Sequence, residues 1–167
     1  MNYDSNAEQL FHQRNPSLIA CANDFYPYTF RDNSGTTFRA KPDFWCNEWN
    51  CWVEFKGKQL NNQKSKLIAG ESYSSAKSYL EYRCRKNGKI PTEQQYSKCR
   101  LDHAWNHSLY KQAKVQSSLR AFDKRMIVVF ETGTNLTKQS QNLMNAQGME
   151  WLLEDDFAKQ LALDTLH

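Results

Sequence analysis

The sequence predicts an α/β fold, a mixed β-sheet flanked by helices, on three observations. Residues 26–58 are dense in aromatic and β-branched side chains interrupted by turn residues. Met126-Ile127-Val128-Val129-Phe130 is a short unbroken apolar run, the composition of a strand buried on both faces. The stretches between and after these segments switch to helical spacing, and such an order of elements builds one sheet with helices packed on it.

Residues 6–14 read as a short helix ended near Pro16, and residues 26–31 as a first strand turning at Asp32-Asn33-Ser34-Gly35 into a second over 36–45. A third strand covers 51–58. Residues 65–85 are helical in pattern as far as the breaker Asn87-Gly88-Lys89-Ile90-Pro91, and a short helix follows to Cys99. A longer amphipathic helix is expected over 106–122, with Leu109, Val115 and Leu119 among its apolar positions. Beyond the apolar run, residues 136–146 form a helix stopped by Gly148, residues 149–153 a last strand and residues 157–166 a closing helix.

A chain of 167 residues with 40% hydrophobic and 13% aromatic content can bury one good core, so a single domain over residues 1–167 is expected. No apolar run approaches the roughly eighteen residues of a membrane span. The start Met1-Asn2-Tyr3-Asp4-Ser5 lacks the basic and apolar regions of a signal peptide, so the expectation is a cytoplasmic protein with no membrane partner. Five cysteines, an odd number at irregular spacings, argue against a disulfide framework. Neither Cys46/Cys51 nor Cys84/Cys99 has the short spacing of a zinc knuckle.

The most informative stretch begins at Lys41-Pro42-Asp43 and ends at Glu54-Phe55-Lys56-Gly57. Asp43 and Glu54 share a midpoint with Cys46 and Cys51, inside the polar loop Asn47-Glu48-Trp49-Asn50, which predicts a hairpin with Asp43 directly across from Glu54. Like charges in that position are destabilising; at 4 Å and an effective dielectric of 20 they repel by about 4 kcal/mol. A divalent cation would remove that cost, and hard cations such as magnesium take carboxylate oxygens and keep several waters. Side chains alternate along a strand, so Lys56 shares a face with Glu54, while Cys46 and Cys51 fall on the face opposite to the acids as small core residues.

Pro42-Asp43 with Glu54-Phe55-Lys56 resembles the PD-(D/E)xK nuclease superfamily. The resemblance is closest, in Pro-Asp-Phe and Val-Glu-x-Lys-Gly, to phage junction-resolving endonucleases and small transposase-associated nucleases, and it covers the hairpin well and the rest of the first 60 or so residues only loosely. It implies a restriction-endonuclease-like mixed sheet, with residues 61–105 a helical insertion after the third strand. It implies magnesium-dependent hydrolysis of DNA phosphodiesters, double-stranded or branched, with manganese able to substitute. Asp43, Glu54 and the backbone carbonyl of Phe55 would hold the metal. Lys56 would orient or deprotonate the attacking water, or stabilise the transition state; the residues leave that choice open. Many members add an acid from the first helix, for which Glu8 is the candidate, although an acid there is also favoured by the helix dipole alone. In some relatives a glutamine on the following helix faces the metal; Gln112 and Gln116 stand there, with a surface polar role as the plainer reading.

Positive charge is uneven. Between Lys56 and Arg125 acids are few and bases many, among them Lys58, Lys64, Lys66, Arg83, Arg85, Lys86 and Lys89, with Tyr73, Tyr79, Tyr82 and Tyr96 interleaved. Such a segment suits a phosphate-tracking surface with some stacking capacity, and equally a solvated helical face. Glu150, Glu154, Asp155, Asp156 and Asp164 gather toward the C-terminus, the end expected to face away from nucleic acid. The alternative is a nuclease-like fold that binds DNA or protein without cleavage. Trp45, Trp49 and Trp52 near one turn would then form a hot-spot patch, which would also serve a nuclease as its homodimer or assembly contact.

Overall fold

The structure, a computed structural model, describes residues 6–22, 24–31, 33, 35, 37–57, 80–81 and 84–165, with backbone alone over 98–107. The chain divides into two compact units, one of residues 1–58 and 112–167 and one of residues 59–111.

The first unit holds a five-stranded mixed sheet flanked by helices. In chain order its elements are α1 (Asn6–Arg14), β1 (Ile19–Ala20), β2 (Tyr28–Arg31), β3 (Thr37–Ala40), β4 (Phe44–Cys46) and β5 (Cys51–Lys56). Then come the end of α2 (Glu93–Arg120), β6 (Met126–Phe130), α3 (Lys138–Ala146), β7 (Trp151–Leu153) and α4 (Glu154–Thr165). The strand order is β1-β4-β5-β6-β7; the first two pairings are antiparallel, and those of β5 with β6 and of β6 with β7 are parallel. β6 is buried at all five positions, as its unbroken apolar run requires of a strand flanked by neighbours on both edges.

The β4–β5 hairpin has the register read from the sequence: Phe44 pairs with Val53, Trp45 with Trp52 and Cys46 with Cys51 across a turn over residues 47–50, where Asn50 adopts φ 50°. Cys46 and Cys51 are fully buried and join Phe11, Phe44, Val53, Phe55 and Phe157 in the core under α1 and α4. On the other face, Val115 and Leu119 of α2 meet Phe30, Ala40 and Met126, with Trp52 packed against them.

Three elements depart from expectation. The strand expected over 36–45 is two strands in different sheets: β3 pairs only with β2, in a separate two-stranded sheet, and β4 joins the main sheet. The break falls at residues 41–43, where Pro42 has no N–H to give a ladder. The edge strand β1 gives no sequence signal because a two-residue strand is too short to show a period. The two helices expected up to Cys99 and over 106–122 are one helix of 28 residues. Neither Gly nor Pro interrupts it, and Thr92 and Gln95 close its start reciprocally, the Thr92 amide donating to Gln95 Oε1 (2.9 Å) and the Gln95 amide to Thr92 Oγ1 (3.2 Å).

α4 begins at once after β7 with three acids in its first turn. One of them, Glu154, is buried and accepts two bonds from the Arg14 guanidinium, at 2.6 and 2.7 Å, so it is a tie between the first and last helices and not part of a solvated acidic end. The helix expected over 65–85 lies mostly outside the described residues. No described helix is long and apolar enough to cross a membrane.

Candidate active site

Local geometry at the end of the β4–β5 ladder differs from simple opposition of two acids. Phe44 pairs with Val53, yet the Asp43 amide also donates to the Val53 carbonyl (3.0 Å), so two residues of one strand stand against one of the other. This is a β-bulge, a device that bends a strand and re-aims a side chain. Asp43 is therefore not squarely across from Glu54. Its carboxylate folds onto β5 and Oδ2 accepts the Phe55 amide at 2.8 Å, taking the place of a backbone carbonyl. The Asp43 carbonyl accepts the Cys21 amide (2.9 Å), which ties the bulge to the end of β1.

The Phe55 carbonyl is turned the same way. The N–H and C=O of one strand residue point to the same neighbour, and the Phe55 N–H points to Asp43. One residue further, Lys56 Nζ lies 3.5 Å from Glu54 Oε1, and these two side chains are only 14% and 13% exposed. Period two puts them on one face of β5, away from the buried Cys51, Val53 and Phe55.

Burial pushes the Asp43 carboxyl well above the usual carboxylate range, and the charges of Glu54 and then Glu8 push it further. The Phe55 amide and Lys56 oppose them without prevailing. Glu8 thus acts on the same cluster as the hairpin acids. α1 packs closely here, since a Cβ at residue 57 would lie 3.1 Å from the Ala7 Cβ, and glycine leaves that room. Cys21 feels the cluster too, its thiol pushed up to about 11 by burial first and by Asp43 and Glu54 next.

Two carboxylates, Asp43 and Glu54, and a backbone carbonyl facing them are hard oxygen donors. A divalent cation would reverse the electrostatic pressure on Asp43. Among the described residues no group of three or more His, Cys, Asp or Glu could hold a metal ion by itself. Magnesium needs no such cage, since it uses one or two carboxylates, retained waters and substrate phosphates.

The remaining expected residues distribute as follows. Gln116 is buried and binds the Glu150 backbone on both sides, Nε2 donating to the carbonyl (2.9 Å) and Oε1 accepting the amide (2.7 Å). It is thereby an artificial strand edge beside β7, and neither a surface group nor a metal-facing one. Gln112 is buried as well. Arg85, Lys86 and Lys89 are exposed in the second unit, while Lys58, Lys64, Lys66 and Arg83 lie outside the described residues, as do Tyr73, Tyr79 and Tyr82.

The three tryptophans do not make one patch. Trp45 and Trp52 pack edge to face at 4.6 Å on the Glu54 side of the sheet. Trp49 turns to the other side, against Phe157 at 5.2 Å, with Nε1 donating to Asp164 Oδ2 at 2.6 Å.

Two neighbours of the cluster were not singled out by sequence. Cys21 follows a strand too short to read. Glu131 directly follows β6; its amide donates to the Lys56 carbonyl (2.9 Å), and its Oε2 lies 3.7 Å from the position of a Gly57 Cβ. A carboxylate at the C-terminal end of a buried parallel strand was the available signal, since that end is where sheets of this kind bind ligands. Comparison with protein-family models, with curated proteins and with solved structures finds no match to this chain.

Proposed function

We propose that the protein is a magnesium-dependent DNA endonuclease of the PD-(D/E)xK type, with a restriction-endonuclease-like sheet, hydrolysing phosphodiester bonds in double-stranded or branched DNA. The observation that carries this reading is the convergence of Asp43, Glu54 and Lys56 at the end of one hairpin, with two of the three side chains largely shielded from water and joined at 3.5 Å. A shielded cluster of two acids and an amine, with one carboxyl pushed upward by its neighbours, is an arrangement that functional sites use.

Asp43 and Glu54, with the Phe55 carbonyl, would hold Mg2+, or Mn2+ in its place; the bound cation supplies an activated water and neutralises charge on the phosphate. The Phe55 amide fixes the Asp43 carboxylate through Oδ2, which leaves Oδ1 as the oxygen that would bind the cation. Lys56, held beside Glu54, positions the attacking water and offers positive charge to the phosphate as it becomes five-coordinate. Glu8 adds negative charge at the same point, which strengthens cation binding and raises the penalty when no cation is there. The basic residues Arg85, Lys86 and Lys89 are exposed and suit phosphate contacts of the positioning kind.

Supercoiled plasmid incubated with the parent and with Asp43→Ala, each with magnesium and with EDTA, tests the proposal. Nicking is expected only from the parent with metal. Nicking by Asp43→Ala, or by the parent in EDTA, overturns it.

A further inference from the structure

Beside the acids, the same face of β5 carries an aromatic cluster whose chemistry the hydrolytic site does not use. Trp52 precedes Glu54 by two residues and shares its face, about 7 Å along the strand, or two base steps of 3.4 Å. Trp45 lies edge-on to Trp52 at 4.6 Å, and Phe25 packs against Trp52 at 5.7 Å. Phe25 remains 38% exposed, and the adjoining Tyr26 43% exposed. The Arg39 guanidinium sits 5.2 Å from the centre of the Tyr26 ring.

The indole N–H of Trp52 is buried and is the one buried side-chain polar atom among the described residues that has no hydrogen-bond partner. A stranded donor of this kind costs about 1–3 kcal/mol, which the packing of Trp52 against the second core cluster and between Phe25 and Trp45 offsets.

We propose that the exposed rings of Phe25 and Tyr26, backed by Trp45 and Trp52, form a stacking platform for unpaired nucleobases, so that the strand entering the hydrolytic site is single-stranded next to the bond to be cut. This rests on the nuclease reading above for its orientation, though not for its test. Every base offers a π-face, so stacking on aromatic rings captures a single strand without regard to sequence. A duplex keeps its faces stacked on one another and presents only phosphates and groove edges. Arg39, whose guanidinium lies over the Tyr26 ring, supplies a cation for a phosphate of the bound strand.

Fluorescence anisotropy of a labelled twenty-residue oligothymidylate and of a labelled duplex of equal length, in EDTA so that nothing is cut, tests the platform. The variant is Phe25→Ala/Tyr26→Ala, two exposed positions whose loss leaves the core intact, with a thermal melt as the check on folding. The parent is expected to bind the single strand more tightly than the duplex. The variant is expected to lose about 10- to 100-fold on the single strand, as 1–3 kcal/mol per stacked base implies, and less than about 2-fold on the duplex.

The single-strand loss should persist between 50 and 200 mM salt, because stacking releases no counterions. Equal losses on both ligands, no loss on either, or no binding of the single strand by the parent overturns the platform. Plasmid nicking reports on the hydrolytic reading separately, so each can fail while the other stands.

Discussion

Two hairpins of similar composition lie one after the other in this chain, and they put their polar residues to opposite uses. In β2–β3, aromatic and polar residues alternate, and Thr29, Arg31, Thr37 and Arg39 all reach solvent. In β4–β5 the alternation is as regular, but β5 has a partner strand on each edge and Trp52 is packed under the second core cluster, so Glu54 and Lys56 are largely shielded. A charged residue on an open two-stranded ribbon satisfies itself with water. On a central strand it must be satisfied by other protein groups or by a ligand. Position in the sheet, and not composition, separates a solvated pattern from a candidate site.

The largest effect should come from the charges themselves. Glu54→Gln and Lys56→Ala are each expected to lower metal-dependent nicking by about 100- to 10,000-fold, the range for losing a positioned group that handles a proton or a developing charge. Thr29→Ala and Arg31→Ala on the other hairpin should change it less than about 3-fold. Comparable losses from both hairpins would erase the contrast.

A smaller effect sharpens it through pH. Because the Asp43 carboxyl is raised in the folded protein, the native state holds a proton that the unfolded chain gives up near pH 4. Its stabilising contribution is complete below that pH and is lost as pH rises through the folded value. Without metal, Asp43→Asn should therefore melt above the parent at pH 8, by about 2–4 °C for a gain of about 1 kcal/mol, and the gap should narrow toward pH 4. Added magnesium should raise the parent's melting temperature and leave that of the variant unchanged. Parallel melting curves across this pH range would show that the acid is not under strain. The smallest effect belongs to the open hairpin, where Thr37→Ala should alter stability by no more than about 0.5 kcal/mol.

Much of the candidate site was legible because hairpins are local. The midpoint shared by Asp43/Glu54 and Cys46/Cys51 set the register, and period two set which residues went to the core, as Cys46 and Cys51 show. The bulge at Asp43 was not legible, since it depends on the Asp43 amide doubling up on the last paired residue of β5, Val53, and on the Asp43 carboxylate finding Phe55 beyond the end of the ladder. Nor was the fate of Gln116, whose amide group serves as a strand edge only because residue 150 arrives beside it from 34 residues away.

By itself the sequence determined the α/β class, the turn over residues 47–50, the burial of Met126–Phe130 and the face on which Glu54 and Lys56 lie. These follow from side-chain periodicity and turn chemistry, which act over a few residues. Tertiary structure alone decided that the chain leaves one sheet for another at Pro42 and that α1 closes on Gly57 to bring Glu8 toward Asp43. It also decided that Trp49 parts from Trp45 and Trp52. Those outcomes depend on which strand edge and which helix face each segment meets, and backbone hydrogen bonds between distant residues are satisfied only once the whole sheet is assembled.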